Sequence, residues 1–273
     1  ASRLCLPSFD SEELIKLIAK LIELDKHLVP SGLGYSLYVR PTMISTSSGL
    51  GVGVPDRALL YVFCSPVGSY YSSGFKAIRL QATDYATRAW PGGVGDQKVA
   101  GNYAPCVLPQ QEAALNGFQQ NLWLFGPENH ISEVGTMNVF FAFMDKNTGR
   151  KELVTAPLDG TILPGVTRDS ILTLARMNLD SKEWDICERY LGMNEVVERA
   201  HKGEVLEAFG SGTAALVRPI YEIGWKNQII EIPLNGEEGV GKLTKEISHW
   251  ISDVQYGKVK VQNWCRIVAD IHE

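Results

Sequence analysis

The chain has 273 residues, 45% hydrophobic and 21% charged, with a formal net charge of −5 and a pI near 5.6. That is enough chain for a sizeable core, in one large domain or two smaller ones. The acidic balance argues against a nucleic-acid or anionic-membrane surface, and no apolar run reaches the ~18 residues of a membrane span.

In chain order, Asp10 or Ser11 is predicted to cap a helix whose apolar positions are Leu14, Ile15, Leu17, Ile18, Leu21 and Ile22, stopping near Pro30. Tyr35 to Arg40 alternates like a strand, and Ala58 to Cys64 is a continuous apolar run that reads as a buried one. Between them, the loop Gly49-Leu50-Gly51-Val52-Gly53 lacks the spacing and strand–helix frame of a dinucleotide site. The small polar stretch from Gly68 to Gly74, with Tyr70 and Tyr71, reads as a domain boundary. It divides the chain into 1–67, a loop 68–74, and 75–273. Beyond it, strands are predicted near Ala77–Leu80, Asn121–Phe125, Thr136–Met144, Glu152–Thr155, Val205–Phe209 and Gln228–Ile232. Helices are predicted near Pro109–Phe118, Asp169–Met177, Asn194–His201 and Lys242–Val254. This order implies an α+β or mixed α/β fold with a barrel-like larger domain.

The cysteines (Cys5, Cys64, Cys106, Cys187, Cys265) are scattered, odd in number and form no CxxC pair. They suggest neither a disulfide framework nor a zinc site, and favour a reducing compartment. The five histidines show no metal spacing, so no metal is expected.

The chemistry concentrates in two stretches. Gly92-Gly93-Val94-Gly95-Asp96-Gln97-Lys98 sets a lysine in a glycine-rich loop, with Tyr103 five positions later. Phosphate-binding loops need Gly-Lys-Ser/Thr, and here Val99 follows Lys98, so that reading fails. A lysine held in a loop can form a Schiff base with an aldehyde. Glu133 precedes the apolar run ending in Phe140-Phe141. A glutamate entering a buried strand is costly unless paired. One reading is an exposed strand end. The other gives it the protonated ring nitrogen of pyridoxal phosphate, with Thr136 beside the ring hydroxyl or substrate. Two turns suit anions: Leu163 to Ser170, which leads into a helix, and Gly210-Ser211-Gly212-Thr213-Ala214.

These residues carry a resemblance. The chain resembles the branched-chain amino acid aminotransferases, pyridoxal-phosphate enzymes of fold type IV, and is most similar to the eukaryotic, fungal-type members. The carrying stretches are Arg3 to Asp10, Ser36 to Pro41, Arg88-Ala89-Trp90-Pro91-Gly92-Gly93, Gly101-Asn102-Tyr103, Glu133-Val134-Gly135-Thr136-Met137-Asn138, Leu163-Pro164-Gly165-Val166, Phe209 to Ala214 and Gln255-Tyr256-Gly257. The resemblance implies that pyridoxal 5′-phosphate is the cofactor and that Lys98 is the Schiff-base lysine and proton shuttle. It implies that Tyr103 bonds the cofactor's phenolic oxygen, Glu133 pairs with the ring nitrogen, and Val166 and Thr167 hold the phosphate with Gly212 and Thr213. Thr213 and Ala214 would meet the substrate carboxylate, and Tyr38, Arg40 and Tyr70 would help accept the glutamate side chain. Leu50 and Val52 would reach the partner's site in a homodimer.

The substrates implied are leucine, isoleucine, valine, glutamate and their 2-oxo acids, in the mitochondrial matrix or the cytoplasm. In the family, a further N-terminal segment with a phosphate-binding arginine falls before Ala1, which would make this chain a fragment or a shortened record. A redox CxxC of some animal relatives is replaced by Ala215-Leu216-Val217. A D-amino-acid aminotransferase or aminodeoxychorismate lyase shares the fold. An inactive interaction module is the alternative of another class.

Overall fold

The computed structural model describes residues 1–32, 34–68, 76–236, 239–261 and 263–268. The chain divides into two compact units, Ala1–Ser72 with Lys260–Glu273, and Ser73–Val259.

In the first unit, α1 spans Ser11–Leu24. Asp10 caps it, its carboxylate accepting from the backbone N–H groups of Glu12 at 2.9 Å and Glu13 at 3.1 Å. The helix stops earlier than expected, and a 3-10 turn over Lys26–Leu28 fills the distance to Pro30. Strands β1 (Ser36–Ser45) and β2 (Ala58–Val67) form an antiparallel hairpin pairing Ser36 with Val67 and Ser45 with Ala58. The expectation of a buried strand at Ala58–Cys64 is corrected: β2 alternates, with Leu59, Tyr61 and Phe63 on an exposed face. The hairpin is a sheet of two strands, so its pleat sets an apolar row on each face whatever the run looks like in sequence.

The second unit is built on a nine-stranded sheet. Its elements are β3 (Ile78–Thr83), α2 (Val107–Leu115), β4 (Gln120–Phe125), β5 (His130–Val134), β6 (Met137–Met144), β7 (Lys151–Thr155), α3 (Val166–Asn178), β8 (Trp184–Glu188), α4 (Met193–His201), β9 (Val205–Gly212), β10 (Leu216–Trp225), β11 (Gln228–Glu231) and α5 (Lys242–Gln255). Strands β3, β4, β5, β6, β9 and β10 close on themselves, each paired with the next and β10 with β3. That circuit is the barrel. Strands β7 and β8 extend it from β6, and β11 extends it from β10.

Phe140, Phe141, Phe143, Phe209, Leu80, Leu122 and Trp123 are almost wholly buried on one or other face of its strands. Each such side chain contributes about 1.5–3 kcal/mol by leaving water. The rings of Phe140 and Phe209 stack across β6 and β9 at 5.2 Å. Helix α5 buries Leu243, Ile247, Ile251 and Val254, one stripe at helical spacing, and packs on α3, β9 and β10. Its N-terminus is closed by Glu207 of β9, whose carboxylate accepts from the N–H groups of Leu243 and Thr244, each at 2.9 Å.

The strand expected over Thr136–Met144 is two features. Gly135 and Thr136 form the tight turn that joins β5 to β6. Gly135 has φ +56°, a conformation that favours glycine, and a Cβ there would also push the Gln120 side chain aside. Strands β5, β8 and β10 went unpredicted.

Candidate active site

All the residues expected to hold the cofactor fall in the second unit. After β3 the chain runs as a loop to 3-10 turns at Ala100–Asn102 and Ala104–Cys106, which lead into α2. The first turn folds the five-residue spacing back on itself. Lys98 Nζ then lies 3.3 Å from Tyr103 Oη and 5.3 Å from the centre of its ring. The buried Asn102 fastens the loop from within, its side-chain amide donating to the carbonyls of Val94 and Gln97. Lys98 itself is exposed, so its amine is open to a ligand.

Glu133 sits near the end of β5, its side chain 2% exposed. One oxygen, Oε2, lies 2.6 Å from Nε of Arg88, which is equally buried. The other, Oε1, accepts from Leu163 N–H at 2.9 Å and from the Asn138 side-chain amide at 3.1 Å. A carboxylate offers roughly four acceptor positions. Three are filled here, and the open one is on Oε2. Burial pushes the Glu133 carboxyl up to about 7, against the pull of Arg88, the Leu163 N–H and the more distant Lys98 ammonium.

Arg88 reaches further, donating to the carbonyls of Thr161 at 2.9 Å and of Gly95, in the lysine loop, at 3.4–3.5 Å. One guanidinium thus joins the carboxylate, the lysine loop and the segment before Leu163.

Helix α3 begins at Val166 with Gly165 as its cap residue, and no side chain among the described residues caps its N-terminal N–H groups. That differs from α1 and α5, which carry Asp10 and Glu207 there, and is shared with α2 and α4. An uncapped helix start with Val166 exposed is suited to an anion. Arg168 is not aimed at such an anion: it turns inward to the Ala156 carbonyl and to Glu188, both at 2.7 Å. Gly212 ends β9, and Thr213 and Ala214 make the exposed turn into β10. Thr136 is exposed in its own turn.

In the first unit, the Arg40 guanidinium donates to Tyr38 Oη at 3.0 Å and lies 5.0 Å from that ring's centre. Leu50 and Val52 are fully exposed in the loop between β1 and β2. Tyr70 and residues 69–74 lie outside the described residues.

Three residues escaped the sequence reading as functional. Arg88 stood only as part of a matching stretch; an arginine four residues before a glycine pair carries no signal of its own. Asn138 and Ser211 lie opposite one another on β6 and β9, and Asn138 lies opposite Glu133 on β5. The register puts Glu133, Asn138 and Ser211 in one row on one sheet face. Ser211 Oγ is buried and has no hydrogen-bond partner among the described residues.

The second unit thus holds a lysine amine beside a tyrosine hydroxyl and a buried carboxylate with one open acceptor. The family model of amino-transferase class IV matches residues 1–223, and the chain belongs to that class. The mitochondrial branched-chain-amino-acid aminotransferase of Saccharomyces cerevisiae is 69% identical over 272 residues, covering 100% of this chain and 69% of that protein. The cytosolic one of the same yeast is 66% identical, covering 100% of this chain and 72% of that protein. Within its class, then, the chain falls among the branched-chain-amino-acid aminotransferases. Its fold matches the branched-chain amino acid aminotransferase of Thermobaculum terrenum in its PLP form, with a TM-score of 0.76 at 23% identity, over 97% of this chain and 78% of that one. Among the described residues, no helix is long and apolar enough to cross a membrane.

Proposed function

We propose that the chain moves the amino group reversibly between L-leucine, L-isoleucine or L-valine and 2-oxoglutarate, with pyridoxal 5′-phosphate as cofactor. The observation that carries the reading is the 3.3 Å approach of Lys98 Nζ to Tyr103 Oη in the unit that also buries Glu133. The residues present fit the cofactor. An amine can meet its aldehyde, an open carboxylate position its ring nitrogen, and uncapped N–H groups its phosphate, while the orphaned Ser211 hydroxyl still awaits an acceptor. When bound, the cofactor supplies the electron-accepting ring and the carbon that carries the amino group between substrates.

The chain's own residues do the rest. Lys98 Nζ would take the proton from substrate Cα and return it in the reverse direction. Tyr103 Oη would hold the phenolic oxygen and orient Lys98. Glu133 Oε2 would accept from the ring N–H and keep that nitrogen charged. The N–H groups of Val166 and Thr167 would hold the phosphate together with Gly212 and Thr213, and Thr136 would meet the ring hydroxyl or the substrate. Thr213 and Ala214 meet the substrate carboxylate. Tyr38, Arg40 and Tyr70 take the glutamate side-chain carboxylate. Leu50 and Val52 serve the partner subunit in a homodimer. The division of the chain at 68–74 belongs to the same reading, as does a mitochondrial or cytoplasmic location.

Assaying amino transfer to 2-oxoglutarate from L-leucine and from D-alanine tests it. Turnover with L-leucine is the expected result; turnover confined to D-alanine would overturn the reading.

A further inference from the structure

The cofactor named above is a flat ring with a phosphate arm, so the groups gripping its two ends must stand a set distance apart. In this chain one grip is Glu133 on β5 and the other is the start of α3. Leu163 lies between them, and both of its backbone polar groups are claimed from the carboxylate side. Its N–H donates to Glu133 Oε1 at 2.9 Å. Its carbonyl accepts from the Asn138 amide at 2.9 Å, and the same amide donates to Glu133 Oε1 at 3.1 Å. Two residues on, Gly165 packs so tightly on Asn138 that a Cβ there would stand 2.2 Å from Asn138 Oδ1. Asn138 therefore touches the carboxylate, the Leu163 carbonyl and the residue that opens α3. It is buried on β6, with β5 on one edge and β9 on the other.

We propose that Asn138 is a positioning residue that couples the grip on the ring nitrogen to the grip on the phosphate. It touches no reacting atom. It holds the Leu163–Gly165 segment at a fixed offset from Glu133, so that binding at either end presets the other. Without the amide, the Leu163 carbonyl loses its donor, and Leu163 keeps only its own N–H on Glu133. The Arg88 link from Glu133 ends at Thr161, short of the Leu163–Gly165 segment, so the two grips then act independently. The inference rests on the cofactor reading above and adds a residue to it.

The test is a thermodynamic cycle in equilibrium dialysis, with pyridoxal 5′-phosphate and phosphate-free pyridoxal as probes. The parent chain, Glu133→Gln, Asn138→Ala and the double variant are compared. In the parent, Glu133→Gln should weaken pyridoxal 5′-phosphate several-fold more than it weakens pyridoxal, because coupled contacts are non-additive. With Asn138→Ala in place, that excess should shrink to within about twofold of unity, the mark of independent sites. An excess that survives Asn138→Ala overturns the inference while leaving the cofactor reading intact. A parent that binds no pyridoxal 5′-phosphate overturns both. If Asn138→Ala does not fold, Asn138→Leu, which keeps the side chain's size and has neither charge nor donor, carries the same cycle: a lost excess supports the coupling and a surviving one overturns it. A merely structural role would lower the melting temperature and leave the excess unchanged.

Discussion

Arg88 Nε and Glu133 Oε2 lie 2.6 Å apart, each on a side chain 2% exposed. A pair buried this deeply costs more to break than to form, because either partner left alone is a charge without water. It also fixes which carboxylate oxygen remains open, and so the direction from which a ring N–H can arrive.

Removing the arginine should show this. Arg88→Met is expected to destabilise the chain by about 3–5 kcal/mol, the usual cost of stranding a buried charge. It should also push the Glu133 carboxyl above its value of about 7, since Arg88 is the strongest influence holding it down. Arg88→Lys keeps the charge but loses the fork that reaches Thr161 and Gly95, and should fall between. Urea unfolding ranks the three chains; a Met variant as stable as the parent would refute the argument.

The cofactor-free protein should carry a pH signature from Glu133. Its folded value of about 7 stands above the ordinary 4.5, so the folded chain holds that proton more tightly than the unfolded chain. The stabilisation is fully present below pH 4.5, falls as the pH rises to about 7, and is level above. Glu133→Gln should flatten the stability profile in that window. Unfolding free energies measured across it decide the matter; an unchanged slope means another group is responsible.

With cofactor and L-leucine, Glu133→Gln should slow the proton transfer at least ~100-fold, the scale of losing one preorganised charged group. Single-turnover rates within a few-fold of the parent would place the ring nitrogen elsewhere.

Lys98→Ala should abolish transamination and the visible absorbance of the bound cofactor. Loss of a nucleophile commonly costs several powers of ten. Tyr103→Phe keeps the amine and loses only the hydroxyl at 3.3 Å, so it should lower kcat far less. Near-normal turnover in Lys98→Ala would exclude it as the catalytic amine.

In the other unit, Leu50 and Val52 have no packing of their own to lose. Leu50→Asp should raise the KM for leucine while leaving the melting temperature of the chain nearly unchanged, as expected of an apolar contact tip. A large fall in melting temperature with an unaltered KM would assign Leu50 to the fold instead.

The legible parts of this chain were those whose signal is local. Asp10 and the 3.6-residue spacing after it announced α1, and Lys98 with Tyr103 needed only a short folded turn to meet. The glutamate before an apolar run stood out, but its strand did not. Five residues over His130–Val134 give too short a pattern, and a turn made by Gly135 and Thr136 leaves little room between β5 and β6. The strand Leu216–Trp225 was hidden by Pro219, which reads against a strand interior. Arg88, Asn138 and Ser211 were illegible as functional for a different reason. Their meaning comes from register across strands and from loops far apart in sequence, which no spacing along the chain encodes.

The six-strand circuit has a consequence for how the protein comes apart. A sheet with two ends can fray from either; a ring cannot. Glu133, Asn138 and Ser211 sit on three consecutive members of that ring, while β8 and β11 are the outer strands of the sheet. Amide protons of β5, β6 and β9 should therefore be among the last to exchange, and those of β8 and β11 among the first. The row of Glu133, Asn138 and Ser211 then comes apart only when the barrel itself does, at one denaturant concentration.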